Sequence, residues 1–120
     1  MALASNIMVG IVAALHLYFL VLEMFLWTTP RGLRTFGMTP EFAQQSRSLA
    51  MNQGLYNGFL AAGLIWGITL GAEGFEVKVF FLICVIIAGV FGGITTGKRT
   101  ILLFQALPAL IALILVWFAR

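Results

Sequence analysis

The sequence predicts an all-α integral membrane protein: an antiparallel bundle of four transmembrane helices that forms a single domain. Composition is the first observation, since 62% of the 120 residues are hydrophobic and 9% are charged, whereas a soluble domain has roughly 45–50% and about 25%. The second is that the hydrophobic residues fall into four runs, each near the roughly 20 residues that a helix needs to cross a bilayer. A soluble fold of this size has too little interior to bury so many apolar side chains.

Capping and helix-breaking residues set the limits of the spans. Trp27 suits a membrane interface at the end of the first span, and Pro30 stops that helix, so the connection up to Thr39 is predicted to be an irregular loop. Thr39 and Pro40 form an N-cap signal, and the polar segment after them predicts a short cytoplasmic or interfacial helical extension before the second span. A bend is expected near Gly54. The predicted spans are residues 7–27, 51–71, 77–96 and 101–118.

Small residues recur at intervals of four in the second and third spans, as in Gly54–Gly58 and Gly89–Gly93. Inside lipid, helices associate where such residues let their backbones approach closely. The turn at residues 97–100 is so short that the third and fourth spans must be antiparallel neighbours. Pro108 removes a backbone donor within the fourth span and frees the carbonyl of Phe104. These features predict a compact bundle with little room for a wide pore.

The positively charged residues predict the orientation of the bundle. Most of them fall in the first and third connections, and only Lys78 and Arg120 fall on the other side. The positive-inside rule then places those two connections in the cytoplasm and both termini outside. No Lys or Arg precedes the first apolar run, so this run is expected to be retained and not cleaved as a signal peptide. Because topology accounts for the net charge of +3, no nucleic-acid partner is expected. The cations on the cytoplasmic side are Arg31, Arg34, Arg47, Lys98 and Arg99.

One glutamate, one histidine and several amides interrupt the apolar runs. Glu23 lies roughly 6 Å inside the cytoplasmic end of the first span at 1.5 Å per residue, and a carboxyl group there needs hydrogen-bond donors or a proton. Asn57, Gln53 and Tyr56, at the start of the second span, could supply donors. His16 projects from nearly the same helix face as Glu23, about 10 Å away along the axis, so a bridging group would have to join them. The predicted site consists of Glu23, His16, Asn52, Gln53, Tyr56 and Asn57, supported by Arg31, Thr95, Thr96 and Gln105.

Each member of this set also has a structural interpretation. Glu23 could tie two helices together, His16 could be a packing residue, and amides commonly bridge membrane helices. One histidine and one embedded acid are too few for a transition-metal site, which takes three or four ligands, and Cys84 is the only cysteine. No metal or other cofactor is therefore expected.

The most distinctive strings are HLYFLVLEMFLWTTPRG at residues 16–32 and NQGLYNGFLAAGL at residues 52–64. Both resemble the small bacterial integral-membrane family catalogued as domain of unknown function 1304, over essentially the whole chain. The resemblance implies a four-helix protein of the bacterial inner membrane and brings no established activity. A looser likeness to small multidrug exporters concerns architecture alone, since the loop charges here are biased. The positions that match the family are His16, Glu23, Trp27, Pro30, Arg31, Gly32, Asn52, Gln53, Gly54, Tyr56, Asn57 and Gly58.

Three functions are compatible with these features. The favoured one is the binding or translocation of a small polar ligand, a cation or a proton, with Glu23 as the responsive group and His16 as a deeper relay. The second is a membrane enzyme that uses His16 and Glu23 for acid–base work on a lipid-soluble substrate. The third is a structural or accessory subunit of a larger membrane complex. Besides the lipid bilayer, the expected partners are a small ligand or cation, and a second copy of the chain or another membrane protein.

Overall fold

The computed structural model describes residues 1–120 and is helical throughout, with no strand. This confirms the predicted all-α class. A 3₁₀ turn precedes α5, and a π-helical segment joins α6 to α7. In chain order the helices are α1 (Ala2–Met24), α2 (Pro30–Phe36), α3 (Pro40–Gln45), α4 (Arg47–Thr69), the 3₁₀ turn Gly71–Gly74, α5 (Phe75–Thr96), α6 (Arg99–Ile101), the π segment Leu102–Ala106 and α7 (Leu107–Ala119).

Three stretches of helix are long and apolar enough to cross a membrane: Ala2–Met24, Gly71–Thr96 and Arg99–Ala119. Helix α4 has the same length as α1, 23 residues. Its first half carries Asn52, Gln53 and Asn57, which make α4 more polar than the three membrane-capable stretches. The structure thus shows a helical protein with three membrane-capable stretches.

The surface of these helices is rich in large apolar side chains. Leu3, Ile94 and Phe118 are each more than 70% exposed, at 75%, 73% and 73%. Exposed apolar patches of this kind favour aggregation in water, whereas lipid chains are as apolar as the side chains themselves. The burial pattern is therefore consistent with a protein surrounded by lipid.

The predicted irregular loop between Pro30 and Thr39 is wrong, because most of it is helix α2. Thr29 caps this helix: its side chain accepts a hydrogen bond from the Gly32 N–H at 3.4 Å, and Pro30 occupies the first turn. A Thr-Pro pair is the same start signal that opens α3, where Thr39 accepts from the Phe42 N–H at 3.2 Å. Helix α1 has already ended at Met24, and the proline begins α2.

The interruption before α4 also differs from the expectation of a bend near Gly54. Helix α4 runs without a break through Gly54, and the break falls at Ser46, between α3 and α4. The Ser46 hydroxyl donates to the Phe42 carbonyl at 2.7 Å. Serine side chains that bond to nearby backbone compete with helical continuation in this way.

The chain divides into two compact units, residues 1–15 with 60–120, and residues 16–59. Helices α1 and α4 contribute one part to each unit. The first unit contains the hydrophobic core, which is built from α1, α4, α5 and α7. Its buried residues are Val9, Val12, Ala13, Ala61, Leu64, Leu82, Val85, Ala109, Ala112 and Val116.

Within the first unit, α5 packs closely against the helical segments that follow it. A Cβ atom at Gly89 would lie 2.7 Å from the Ala106 nitrogen and 2.9 Å from the Ala106 Cβ. The chain reverses through Gly97, whose φ of 69° lies in the left-handed region. Before Pro108 the helix widens into its π segment, where the Leu107 N–H donates to the Leu102 carbonyl. The proline is thus accompanied by a local π-helix. Such π segments occur where the regular series of helical hydrogen bonds is interrupted.

Gly89→Ala is expected to destabilise the protein by roughly 1–3 kcal/mol, because the new methyl group meets backbone that cannot move aside. Gly10→Ala is the matched control, since nothing lies within 4 Å of a Cβ there and alanine favours helix. Thermal unfolding of both variants in one detergent measures the difference. Equal stability of the two variants would contradict the close packing at Gly89.

Candidate functional site

Glu23 and Asn57 meet inside the second unit. Glu23 lies near the end of α1 and Asn57 lies on the first half of α4, and both side chains are half-buried. The Asn57 Nδ2 group donates a hydrogen bond to Glu23 Oε1. The partner of the carboxyl group is therefore a neutral amide and not a cation.

Glycines on α4 bring the two helices close enough for this contact. A Cβ atom at Gly54 would lie 2.6 Å from Met24 Cγ and 3.2 Å from Glu23 Cβ, and one at Gly58 would lie 2.7 Å from Leu20 Cδ1. Gly54 and Gly58 occupy the same face of α4 as Asn57, at helical spacing. The glycines thus determine which α4 side chain reaches Glu23.

His16 is completely buried, with 0% exposure. The Phe19 ring contacts it edge-on, with 5.4 Å between the ring centroids. His16 and Glu23 are seven residues apart on α1, which is about 10 Å of helix, so a direct hydrogen bond does not join them. The structure brings no group of three or more His, Cys, Asp or Glu side chains together.

Three other predicted site residues lie on the first half of α4 but do not bond to Glu23. Asn52, Gln53 and Tyr56 are all exposed. The Asn52 amide donates to the Ser48 carbonyl of its own helix at 2.9 Å, and the Tyr56 ring lies 6.3 Å from that of Phe59. Only Asn57 among the candidate donors contacts the acid.

The supporting residues also form local contacts. Thr95 and Thr96 belong to the first unit, where their hydroxyl groups donate to carbonyls of α5: Thr96 to Gly92 at 2.6 Å and Thr95 to Phe91 at 2.8 Å. Gln105 is half-buried within the π segment. They belong to the first unit, whereas Glu23 and Asn57 belong to the second.

Arg31, in the second unit, is held by the tyrosine of α1. Its Nε donates to the Tyr18 hydroxyl at 3.2 Å, and its guanidinium carbon lies 5.9 Å from the centre of the same ring. This places a cation of α2 against α1.

Trp27 forms a contact that its predicted role as an interface anchor does not include. The indole N–H donates to the Ser46 hydroxyl at 3.0 Å, and its ring packs on Phe36 at 4.9 Å. Gly32 is buried beneath it, where a Cβ atom would lie 2.6 Å from the Trp27 carbonyl oxygen. Trp27 therefore ties the end of α1 to α2 and to the junction of α3 and α4.

Lys78 is a buried cation, which enters the predicted topology only as one of the two positive charges on the outer side of the bundle. It lies within α5 and is 7% exposed, and its Nζ donates to Asn6 Oδ1 at 2.7 Å. The signal is present in the sequence. Lys78 shares helical spacing with Leu82, Val85 and Gly89, which are buried residues of the same helix.

The sequence comparisons place these residues in a family. The sequence model of the family described as Protein of unknown function (DUF1304) matches residues 10–117. The chain belongs to this family. This confirms the resemblance carried by residues 16–32 and 52–64, and every predicted site residue falls within the part matched to DUF1304.

An individual relative is also similar to the chain over nearly its whole length. The chain is similar to an uncharacterized protein, YpaA, from Lactococcus lactis subsp. lactis (strain IL1403), with 32% identity over 120 residues. The alignment covers 98% of this chain and the whole of that protein. No solved structure matches the chain.

A double-mutant cycle of Glu23→Ala and Asn57→Ala measures the contact at the centre of the site. We expect a coupling free energy of about 1–2 kcal/mol, the scale of a side-chain hydrogen bond between two membrane helices. The cycle compares unfolding free energies in one detergent. Asn52→Ala replaces Asn57→Ala in the control cycle, since Asn52 bonds only to its own helix. A coupling free energy of zero between Glu23 and Asn57 would show that their hydrogen bond does not stabilise the protein.

Proposed function

We propose that the protein is a four-span protein of the bacterial inner membrane that binds or translocates a small polar ligand, a cation or a proton. Glu23 is the responsive group in this proposal. The observation that carries it is the hydrogen bond between Glu23 and Asn57, set in a helix that is otherwise almost wholly apolar. An ionisable group in such a helix is a functional candidate by default.

The chemistry of the amide supports a group that changes charge. Asn57 can donate through its NH₂ to an ionised carboxylate, and it can accept through its carbonyl oxygen from a protonated one. A lysine or arginine partner would favour only the ionised form. The Glu23–Asn57 pair can therefore stay hydrogen-bonded while a proton or cation binds and leaves.

The remaining polar residues would serve the same site in different ways. Exposed Asn52, Gln53 and Tyr56 could hydrogen-bond an incoming polar solute beside Glu23, and buried His16 could act as the deeper relay. Arg31, which belongs to the same unit as Glu23, is assigned a supporting role. In this proposal the protein is surrounded by the lipid bilayer. It assembles with further copies of itself or with another membrane protein.

A structural role is the second candidate, in which the protein is an accessory subunit and Glu23–Asn57 fixes the register of two helices. The close approach at Gly54 and Gly58 favours this candidate, because it leaves little space between α1 and α4. The same approach disfavours the enzyme hypothesis, which needs room there for a lipid-soluble substrate.

The proposed topology has α4 as the fourth span, with α2 and α3 in the cytoplasm and both termini outside. Cysteines introduced at Thr35 and Ala72, both exposed, test it on a Cys84→Ala background. We expect a membrane-impermeant maleimide to label Ala72→Cys in intact cells and Thr35→Cys only after permeabilisation. If α4 lay on the membrane surface, both positions would be labelled from the same side, and the four-span topology would be wrong.

Flux through liposomes tests the function. We expect vesicles containing the wild-type protein to dissipate an imposed proton, sodium or potassium gradient, and Glu23→Gln to reduce the rate to that of protein-free vesicles. Glutamine keeps the size and hydrogen bonding of the side chain but cannot ionise. Glu41→Gln is the control, since Glu41 is an exposed acid of α3. Equal flux in wild type and Glu23→Gln, or no flux in either, would exclude translocation and leave ligand binding without transport and the accessory role.

A further inference from the structure

A cavity with charged and polar side chains in its lining lies in the first unit, where the beginning of α1, the beginning of α5 and the end of α7 come together. Its volume is about 390 Å³, which is within the usual range of small-ligand sites. The cavity is separate from Glu23, so its function does not depend on the proposed function above. The lining includes Ser5, Asn6, Phe75, Lys78, Val116 and Arg120.

Two cations line this cavity, and no acidic side chain does. Lys78 is 7% exposed and donates one hydrogen bond, to Asn6 Oδ1 at 2.7 Å. An ammonium group has three N–H donors, and lysine is almost never buried without a charged or hydrogen-bonding partner. The Lys78 charge is therefore met by a neutral amide, which leaves it able to attract an anion.

Arg120 is positioned beside the cavity by aromatic rings. Its guanidinium carbon lies 4.3 Å from the centre of the Trp117 ring and 5.4 Å from that of Phe75. Cation–π contacts of this kind hold the planar group through its face. Its N–H donors lie in the plane of the group and stay available at the edge, in the fork that matches an oxyanion.

We propose that this cavity binds a phosphate group, held by Lys78 and Arg120. Several phosphate oxygens can accept from the two cations and from the Asn6 amide at once, which a single chloride ion cannot do. The cavity lies at the ends of three helices that are each able to cross a membrane. This is the level at which phospholipid headgroups lie. The phosphate can come from an anionic lipid headgroup or from free phosphate, which share this chemistry.

Native mass spectrometry of the detergent-purified protein tests the site and distinguishes the two sources. The probes are dioleoyl phosphatidylglycerol, dioleoyl phosphatidylcholine and inorganic phosphate, each titrated separately. We expect phosphatidylglycerol to bind more tightly than phosphatidylcholine, and Lys78→Gln to weaken that binding at least about tenfold, the effect of losing one charge-assisted hydrogen bond. Lys98→Gln is the matched control, a lysine after the opposite end of α5, and should bind as wild type does.

The competition arm identifies the source of the phosphate. Phosphatidylglycerol that stays bound in excess inorganic phosphate indicates a lipid headgroup, and inorganic phosphate that binds alone with the same dependence on Lys78 indicates a free anion. Arg120→Gln gives a second test at the end of α7 if Lys78→Gln does not fold. The proposal is overturned if neither phosphatidylglycerol nor inorganic phosphate binds, or if the folded variants bind these two probes as the wild type does.

Discussion

The apolar environment of the helices constrains every polar side chain within them. A buried polar group without a hydrogen bond costs about 1–3 kcal/mol by mutational measures, and lipid offers no water to supply the missing partner. The bond between Glu23 and Asn57 satisfies this requirement in the second unit. Because it joins α1 to α4, it also fixes the rotation of one helix against the other. The same hydrogen bond therefore determines both the position of the acid and the packing of the two helices.

Small residues make such contacts geometrically feasible. Gly54 lets α4 approach Glu23, and in the first unit Gly67 lies against the Lys78 stem, where a Cβ atom would be 2.7 Å from Lys78 Cγ. In both units a glycine thus adjoins the embedded charge. Close helix approach in lipid depends on such residues, and here it also gives ionisable side chains room to reach an amide. A bulkier residue at Gly54 or Gly67 would push the ionisable side chain away from its asparagine, although it would alter no charge.

The sequence predicts the helical class, the family and the cap at Thr39, because these depend on composition and on local residue pairs. It offers three donors for Glu23 on α4, and choosing among them requires the rotation of that helix, a property of tertiary packing. Two local signals were available and misread. Thr29 and Pro30 repeat the start signal of Thr39 and Pro40. The lysine at position 78 shares the spacing of buried residues, although its charge was used only to predict orientation. The four-span count stays a prediction, because the amides that build the site also make α4 less apolar.

Glu23 and Lys78 share one arrangement despite their opposite charges. Each is an ionisable side chain in an apolar helix, and each is met by an asparagine: Asn57 donates to the acid and Asn6 accepts from the base. An ion pair would hold each charge in place, and its stabilisation would oppose any ligand that changed that charge. An asparagine offers both a donor and an acceptor, so it can reorient when a proton, cation or anion binds. Packing alone would be served by hydrophobic side chains at these positions, whereas each ionisable group here lies beside an asparagine that can either donate or accept a hydrogen bond.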